Sequence, residues 1–128
     1  MYELGVRAIL KDGGGNILLV KNIHGIHAGK WVLPGGKVEK NEMAEDGIKR
    51  EVAEELNIVF KPTFFTYHQD IQSDSVKGFL TIFFTGNFSG KISRLKIELS
   101  EYKFFTPEEI NASNEIGFGH KEVIMKVA

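Results

Sequence analysis

The chain has 128 residues, a length typical of one domain that buries about two-thirds of its unfolded surface. It contains no cysteine, which excludes disulfides, thiolate zinc sites and cysteine nucleophiles and fits a reducing compartment. Sixteen basic and seventeen acidic residues leave the net charge near zero. We therefore expect a single domain over residues 1–128, a small-molecule ligand and no duplex nucleic acid partner.

The N-terminal sequence has neither a basic segment nor a long apolar run, and no apolar stretch approaches the ~20 residues that cross a bilayer. These features predict a cytoplasmic protein without a signal peptide or a membrane partner. The expected oligomeric state is a monomer or a homodimer.

The first elements in chain order are predicted to be strands. The segments "LGVRAIL" and "NILLV" are rich in aliphatic residues, and "KDGGG" between them supplies the positive φ of a tight turn. They are therefore predicted to pair as an antiparallel hairpin. After a glycine-rich loop with a short extended piece at "WVL", Pro34 disfavours helix in the residue before it.

A helix is predicted from Glu42 to Leu56, where Ile48, Val52 and Leu56 recur every four residues as one apolar stripe. "FFTYHQD" and "GFLTIFFTGNF" follow as strands, and the continuous apolar run of the second indicates a central strand buried on both faces. "KIELSEYKFF" is predicted to be a further strand or a charged loop.

Two helices are predicted to close the chain. In "TPEEI", Thr106 is placed as N-cap, Pro107 at the first helical position and Glu109 three residues after the cap, as in a capping box. The last helix is "GHKEVIMKVA". Strands interleaved with helices predict an α/β or α+β fold with a mixed sheet, because the predicted hairpin is antiparallel.

Residues 35–58 contain seven carboxylates, and three of them, Glu51, Glu54 and Glu55, lie within five residues. At about 100° per residue, a helix projects these three side chains from one arc that borders the apolar stripe. Partly sheltered carboxylates this close favour a bound hard cation that neutralises them. Oxygen ligands select Mg²⁺, with Mn²⁺ as a substitute, and Mg²⁺ shares its coordination with substrate phosphates. The pattern thus points to phosphate chemistry.

The same stretch resembles the Nudix box, in which a glycine, a glutamate and an Arg-Glu-aliphatic-x-Glu-Glu segment keep fixed spacings. The matching positions are Gly36, Glu42, Arg50, Glu51, Val52, Glu54, Glu55 and Ile58. Asn57 replaces the usual glycine, and asparagine tolerates the left-handed conformation that ends a helix. The flanks "KWVLPGG" and "SEYKFFTPEEI" are also similar to those of MutT-like members.

The resemblance implies an α/β/α sandwich and Mg²⁺-dependent hydrolysis of a nucleoside diphosphate linked to another moiety. Glu51, Glu54 and Glu55 would bind the metal together with the backbone carbonyl of Gly35, and one of them, Glu51, could accept a proton from the attacking water. Either Glu98 or Glu101 would add a ligand from a later loop.

Other positions are assigned supporting roles. The catalytic set is predicted to include Arg50, which with Glu42 would orient the carboxylates. On a straight helix Arg50 and Glu42 would lie roughly 12 Å apart, so a direct pair requires Glu42 to fold back. Gly36 is predicted to contact substrate, and Tyr67 or Phe118 to stack on a base.

The favoured activity is a (d)NTP pyrophosphohydrolase that releases a nucleoside monophosphate, because the chain is short and similar to MutT. Hydrolysis of ADP-ribose or of dinucleoside polyphosphates is the enzymatic alternative. A nucleotide-sensing regulatory module is the non-enzymatic one. The intact set of glutamates argues against that module, because binding alone would not need every one of them.

Overall fold

The computed structural model describes residues 2–23, 28–71, 77–93, 99–117 and 119–127. Within these ranges four strands precede the first helix, and three strands precede the last two. In chain order they are β1 (Tyr2–Leu10), β2 (Ile17–Asn22), β3 (Trp31–Val32), β4 (Gly35–Lys37), α1 (Ala44–Leu56), β5 (Val59–Asp70), β6 (Gly78–Ser89), β7 (Leu99–Phe105), α2 (Pro107–Ala112) and α3 (His120–Met125). None of the helices in these ranges is long and apolar enough to cross a membrane.

The strands form two sheets, a four-stranded one in the order β4-β1-β6-β5 and a three-stranded one in the order β3-β2-β7. In the larger sheet β1 runs parallel to β6, while the β1–β4 and β5–β6 pairs are antiparallel. The predicted mixed sheet is therefore confirmed. β6 lies between β1 and β5, as expected of a central strand.

The predicted hairpin between β1 and β2 is wrong. The turn forms, with the Asp12 N–H donating to the Asn16 carbonyl at 3.0 Å, but only an isolated bridge between Lys11 and Ile17 joins the strands. Beyond it β1 pairs with β4 and β6, whereas β2 pairs with β3 and β7. Because both edges of each strand are already hydrogen-bonded, the two strands diverge into different sheets, and the mixed character comes from the β1–β6 pair instead.

Two apolar clusters lie on opposite faces of the strands. The α1 cluster contains Val6, Ala8, Leu10, Leu18, Val20, Val32, Ile48, Val52, Leu56, Ile58, Phe60 and Phe84. The α2/α3 cluster contains Ile9, Ile17, Leu19, Leu33, Phe83, Phe105, Ile110 and Ile124. Because successive strand residues point to opposite faces, β1 and β2 contribute to both clusters, and Phe83 and Phe84 bury β6 on both sides. The result is the expected α/β/α sandwich.

The helices follow their sequence signals closely. α1 begins at Ala44, two residues later than predicted, and Ile48, Val52 and Leu56 are fully buried in the α1 cluster. The capping box of α2 is present, since the Glu109 N–H donates to Thr106 Oγ1 at 3.1 Å and the Thr106 N–H donates to Glu109 Oε1 at 2.9 Å.

Asn57 ends α1 in the left-handed conformation that the sequence predicts, with φ 58° and ψ 39°, and its N–H donates to the Ala53 carbonyl. Its side chain is exposed, so substitutions there test the backbone rather than packing. We expect Asn57→Gly to leave stability unchanged or slightly higher, and Asn57→Val to lower the free energy of unfolding by about 1–2 kcal/mol, because a β-branched residue resists positive φ. Urea unfolding of both variants measures the difference. Equal tolerance of valine and glycine would contradict it.

Candidate active site

The three glutamates of α1 lie in two different environments. Glu51 and Glu55 are only 6% and 3% exposed, whereas the Glu54 side chain is 45% exposed. Residues four apart on a helix share one face, so Glu51 and Glu55 stand one turn apart beside the apolar stripe. The sequence prediction that the acidic arc borders the core is confirmed for these two residues. Glu54 points further toward solvent.

The adjacent Gly35 and Gly36, here called the glycine pair, form the start of β4 and hold both buried carboxylates. The Gly35 N–H donates to Glu55 Oε1 at 3.1 Å. A Cβ added to Gly36 would lie 2.6 Å from the Glu51 carboxyl carbon, so this carboxylate rests directly against the backbone. Gly35 itself has φ 154°, and a Cβ there would overlap the Val6 carbonyl oxygen. A side chain is therefore opposed by the backbone at Gly35 and by the Glu51 carboxylate at Gly36.

Arg50 is the cation that ties the acidic residues together. Its Nε and Nη2 donate to the two oxygens of Glu42 at 2.8 and 3.1 Å, a forked pair. Its Nη1 donates to Glu51 at 2.9 Å and to Glu54 at 3.3 Å, and its Nη2 also reaches the Lys37 carbonyl. These hydrogen bonds, that of Glu42 first, hold the pKa of the Arg50 guanidinium above its usual value against the opposing effect of partial burial. Arg50 is thus fully charged and fixed in place.

The direct pair between Arg50 and Glu42 forms because Glu42 lies before α1 and its side chain returns toward the helix. The Glu39 N–H donates to Glu42 Oε1 at 3.0 Å, and Asn41 adopts φ 65° in the preceding turn. A Cβ added to Gly47 would lie 3.0 Å from Glu42 Oε1. The glycine inside α1, a poor helix former, therefore leaves room for this carboxylate.

The pairing of Glu42 with Arg50 predicts that the stability of the fold depends on pH. The Arg50 hydrogen bonds, followed by the Glu39 N–H, lower the pKa of the Glu42 carboxyl below its ordinary 4.5. A lowered folded-state pKa stabilises the fold fully above the unfolded value, and this contribution is lost as the pH falls through the folded value. We expect Glu42→Gln to be less stable than wild type above pH 4.5, with a difference that shrinks below it. Thermal midpoints from pH 7 to pH 3 test this, and a pH-independent difference would contradict it.

The donors on α1 fit a hard divalent cation. The donors are the carboxylate oxygens of Glu51, Glu54 and Glu55. The carboxylates of Glu51 and Glu55 are buried, and Arg50 pairs with Glu51. Within the ranges that the structure describes, however, no three acidic or histidine side chains converge closely enough to hold a metal ion together. A cation bound by Glu51 and Glu54 would compete with Arg50 for both. The ligand assignment therefore stays a prediction.

A cavity of about 1130 Å³ opens on the α2/α3 side of the four-stranded sheet. Its floor is formed by residues of β1, β5 and β6, its roof by α3, and one end by β4. The lining residues include Gly5, Arg7, His68, Asp70, Phe79, Thr81, Phe83, Gly36, Lys37, His120, Val123 and Lys126. Because Gly36 lines this cavity and also lies against Glu51, the glycine pair separates the cavity from the acidic helix. A volume of this size accommodates a nucleotide.

The cavity has one aromatic wall and a rim with charges of both signs, since Glu3, Asp70 and Glu122 line it beside the lysines. A Cβ added to Gly5 would lie 3.1 Å from the Phe79 ring, so the absence of a side chain there lets the ring lie over β1. At the rim Lys37 and Lys77 flank Glu3 at 3.2 and 3.1 Å and lower the pKa of its carboxyl, Lys77 having the larger effect. These groups suit a ligand with an aromatic ring and negative charge.

Several predicted site residues lie elsewhere. Tyr67 is paired with Ile82, which packs against the α1 cluster, so its ring is on the face opposite the cavity and 62% exposed. Tyr67 therefore does not line this cavity, and its role in stacking on a base stays a prediction. Glu101 lies on β7 and pairs with Lys21 at 3.7 Å. Glu98 and Phe118 fall outside the described residues.

Three cavity residues, Arg7, Phe79 and His120, did not emerge from the sequence. His120 is 2% exposed, and its Nδ1 accepts a hydrogen bond from the Leu33 N–H at 3.1 Å. Phe79 is indistinguishable in sequence from the core phenylalanines around it. Arg7 carried a usable signal, because a single charge inside the apolar strand "LGVRAIL" needs a partner when it is buried.

Two buried carboxylates and an arginine beside a nucleotide-sized cavity are the pattern expected of a phosphate site, and comparison with known proteins identifies the family. The family profile described as the NUDIX domain matches residues 1–127. The chain therefore belongs to the Nudix hydrolase family.

Individual relatives agree with this assignment. A MutT-like protein of Streptomyces ambofaciens is 26% identical over 111 residues, covering 87% of this chain and 68% of that protein. Nucleoside triphosphatase NudI of Escherichia coli is 24% identical over 112 residues, covering 80% and 79%.

Solved structures share the fold. The MutT protein from Methanosarcina mazei superposes with a TM-score of 0.85 at 27% identity, covering 98% of this chain and 91% of that one. The NUDIX domain of Shewanella oneidensis NrtR, in complex with ADP ribose, superposes with a TM-score of 0.84 at 22% identity, covering 99% and 86%.

Proposed function

We propose that this chain hydrolyses a nucleoside triphosphate to the nucleoside monophosphate and pyrophosphate in a Mg²⁺-dependent reaction. The observation that carries the proposal is that the buried Glu51 and Glu55 lie against the glycine pair, and that Gly36 of this pair lines the large cavity. A phosphate chain that extends from a ring in the cavity would reach these carboxylates there. One molecule of water adds across the pyrophosphate bond, which yields the two products.

Each residue of the site has a proposed role. Glu51, Glu54 and Glu55 would hold the metal with the Gly35 carbonyl, and Glu98 or Glu101 stays a candidate for a further ligand. Bound Mg²⁺ would lower the pKa of a coordinated water and offset phosphate charge. Glu51 would accept the proton of the attacking water. Arg50 orients Glu51 and Glu54 through hydrogen bonds from its Nη1.

The triphosphate substrate is favoured by two kinds of support. The printed name of the Escherichia coli relative is nucleoside triphosphatase, and the Streptomyces relative is described as MutT-like. The cavity combines the Phe79 ring with the rim cations Lys37 and Lys77, which suits a base and a charged phosphate chain. ADP-ribose is the second candidate, because a NUDIX domain of the same fold was solved with that ligand.

A substrate panel tests the proposal. Nucleoside triphosphates, ADP-ribose, dinucleoside polyphosphates and sugar nucleotides are each incubated with the chain and Mg²⁺, and the products are separated by ion-exchange chromatography. We expect a monophosphate and pyrophosphate from at least one triphosphate, with turnover abolished by EDTA and restored by excess Mg²⁺ or, in part, by Mn²⁺.

The outcomes separate the alternatives. Preferential release of AMP from ADP-ribose would replace the triphosphate assignment while leaving the Nudix chemistry intact. Tight binding of a nucleotide without turnover of any substrate would favour the sensing module. Hydrolysis that survives exhaustive chelation would rule out the metal-dependent mechanism.

A further inference from the structure

Arg7 is a charged residue in the interior of a core strand. β1 is paired on both edges, with Arg7 opposite Gly35 of β4 and Phe83 of β6. Its neighbours in sequence, Val6 and Ala8, are fully buried in the α1 cluster. Because side chains alternate along a strand, Arg7 points to the other face and lines the cavity.

The surroundings of Arg7 bring its guanidinium to the glycine pair. Nη1 donates to the Leu33 carbonyl at 2.9 Å, just before the pair. A Cβ added to Gly35 would lie 2.8 Å from Arg7 Cδ, so Gly35 provides the space through which the arginine side chain passes. Burial lowers the pKa of Arg7, and the charges of Glu55 and Glu51 oppose that shift. The arginine thus lies between the acidic helix and the cavity.

The groups around Arg7 indicate what its guanidinium would contact when a ligand occupies the cavity. Glu51 and Glu55 now attract Arg7 and so offset its partial desolvation. Arg7 also lines the cavity in which a ligand would be bound. A phosphate group matches the planar fork of N–H donors.

We infer that Arg7 is a substrate-binding residue whose guanidinium holds a phosphate group of the ligand where the cavity meets the glycine pair. The inference rests on the proposed function for the phosphate-bearing nature of the ligand. It assigns Arg7 a contact with substrate rather than a purely structural role as counterion of Glu51 and Glu55.

Binding of inorganic pyrophosphate, measured by isothermal titration calorimetry with Mg²⁺ present, tests the inference without turnover. Arg7→Gln should weaken pyrophosphate binding about tenfold or more, since hydrogen bonds to charged groups carry that much affinity. Arg7→Lys keeps the charge but lacks the fork, so it should fold normally and bind with intermediate affinity. Lys61→Gln removes an exposed cation on β5 and should leave binding unchanged.

Thermal unfolding midpoints distinguish a phosphate contact of Arg7 from a purely structural role. A structural counterion would shift the midpoint of Arg7→Gln and leave the pyrophosphate affinity of folded Arg7→Lys equal to that of wild type, which would overturn the inference. Absence of pyrophosphate binding to the wild-type chain would overturn it as well. Turnover in the substrate panel is measured separately. If the wild-type chain hydrolyses a substrate but the Arg7 variants bind pyrophosphate as wild type does, only the role of Arg7 is refuted and the proposed function stands.

Discussion

Replacement of Glu55 or Glu54 by glutamine is expected to lower kcat about 100-fold or more on the best substrate, because each exchange removes a negative charge from the proposed metal site. The fold should survive both changes. Glutamine retains an oxygen that accepts from the Gly35 N–H in place of Glu55, and Glu54 is largely exposed. Steady-state kinetics with Mg²⁺ at saturating substrate measure the effect.

Glu45→Gln is the matched control, because Glu45 is an exposed glutamate of the same helix that pairs only loosely with Lys49 at 4.0 Å. It should keep wild-type kcat. A folded Glu54→Gln/Glu55→Gln double variant with wild-type turnover would refute the hydrolytic site. Circular dichroism of each variant separates loss of chemistry from loss of structure.

Gly35→Ala is expected to lower stability and Gly36→Ala to lower activity, although the two residues are adjacent. At Gly35 the new Cβ would overlap the Val6 carbonyl oxygen at a positive φ, so the backbone itself must move. We expect the free energy of unfolding to fall by about 2 kcal/mol or more. At Gly36 the Cβ would meet the Glu51 carboxylate, the end of a flexible side chain. That carboxylate can shift, which spares stability but should lower kcat about tenfold to 100-fold.

Chemical unfolding measures the stability of both variants, and steady-state kinetics measures their kcat. Gly13→Ala is the control, because a Cβ there has nothing within 4 Å. Equal loss of stability at both glycines would show that Glu51 cannot move. Full activity of a stable Gly36→Ala variant would contradict the role of Glu51 against the backbone.

Much of the local structure was predictable from short-range patterns. The apolar stripe of α1, the capping box of α2 and the left-handed Asn57 depend on residues three or four apart in sequence. The Nudix box likewise pointed to Glu51, Glu55, Arg50 and Glu42, although the sequence left the partners of Arg50 and Glu42 open and the structure shows that they pair. In each case the interaction that forms the structure lies within one helix or immediately before it, so the sequence contains its cause.

The errors and omissions all involve long-range pairing. "KDGGG" predicts a turn, and the turn exists, but no local signal shows that β1 will pair with β6, more than seventy residues away, and leave β2 for another sheet. Tyr67 is exposed, as the sequence predicts. The face of the sheet on which its side chain lies, however, depends on the register of β5 with β6 and on the bulge in that pair. A one-residue shift in register moves a side chain to the other face.

By itself, the sequence determined the acidic helix, its left-handed end at Asn57 and the chemistry of its side chains, because these follow from helical periodicity and from residue type. Only the tertiary structure decided what surrounds those side chains. The parallel pairing of β1 with β6 places Gly5, Arg7 and Phe79 side by side on the cavity floor. The antiparallel addition of β4 then sets the glycine pair between that floor and the carboxylates of α1. Strand pairing of this kind joins residues far apart in the chain, and its register is settled by the burial of both faces of the sheet at once.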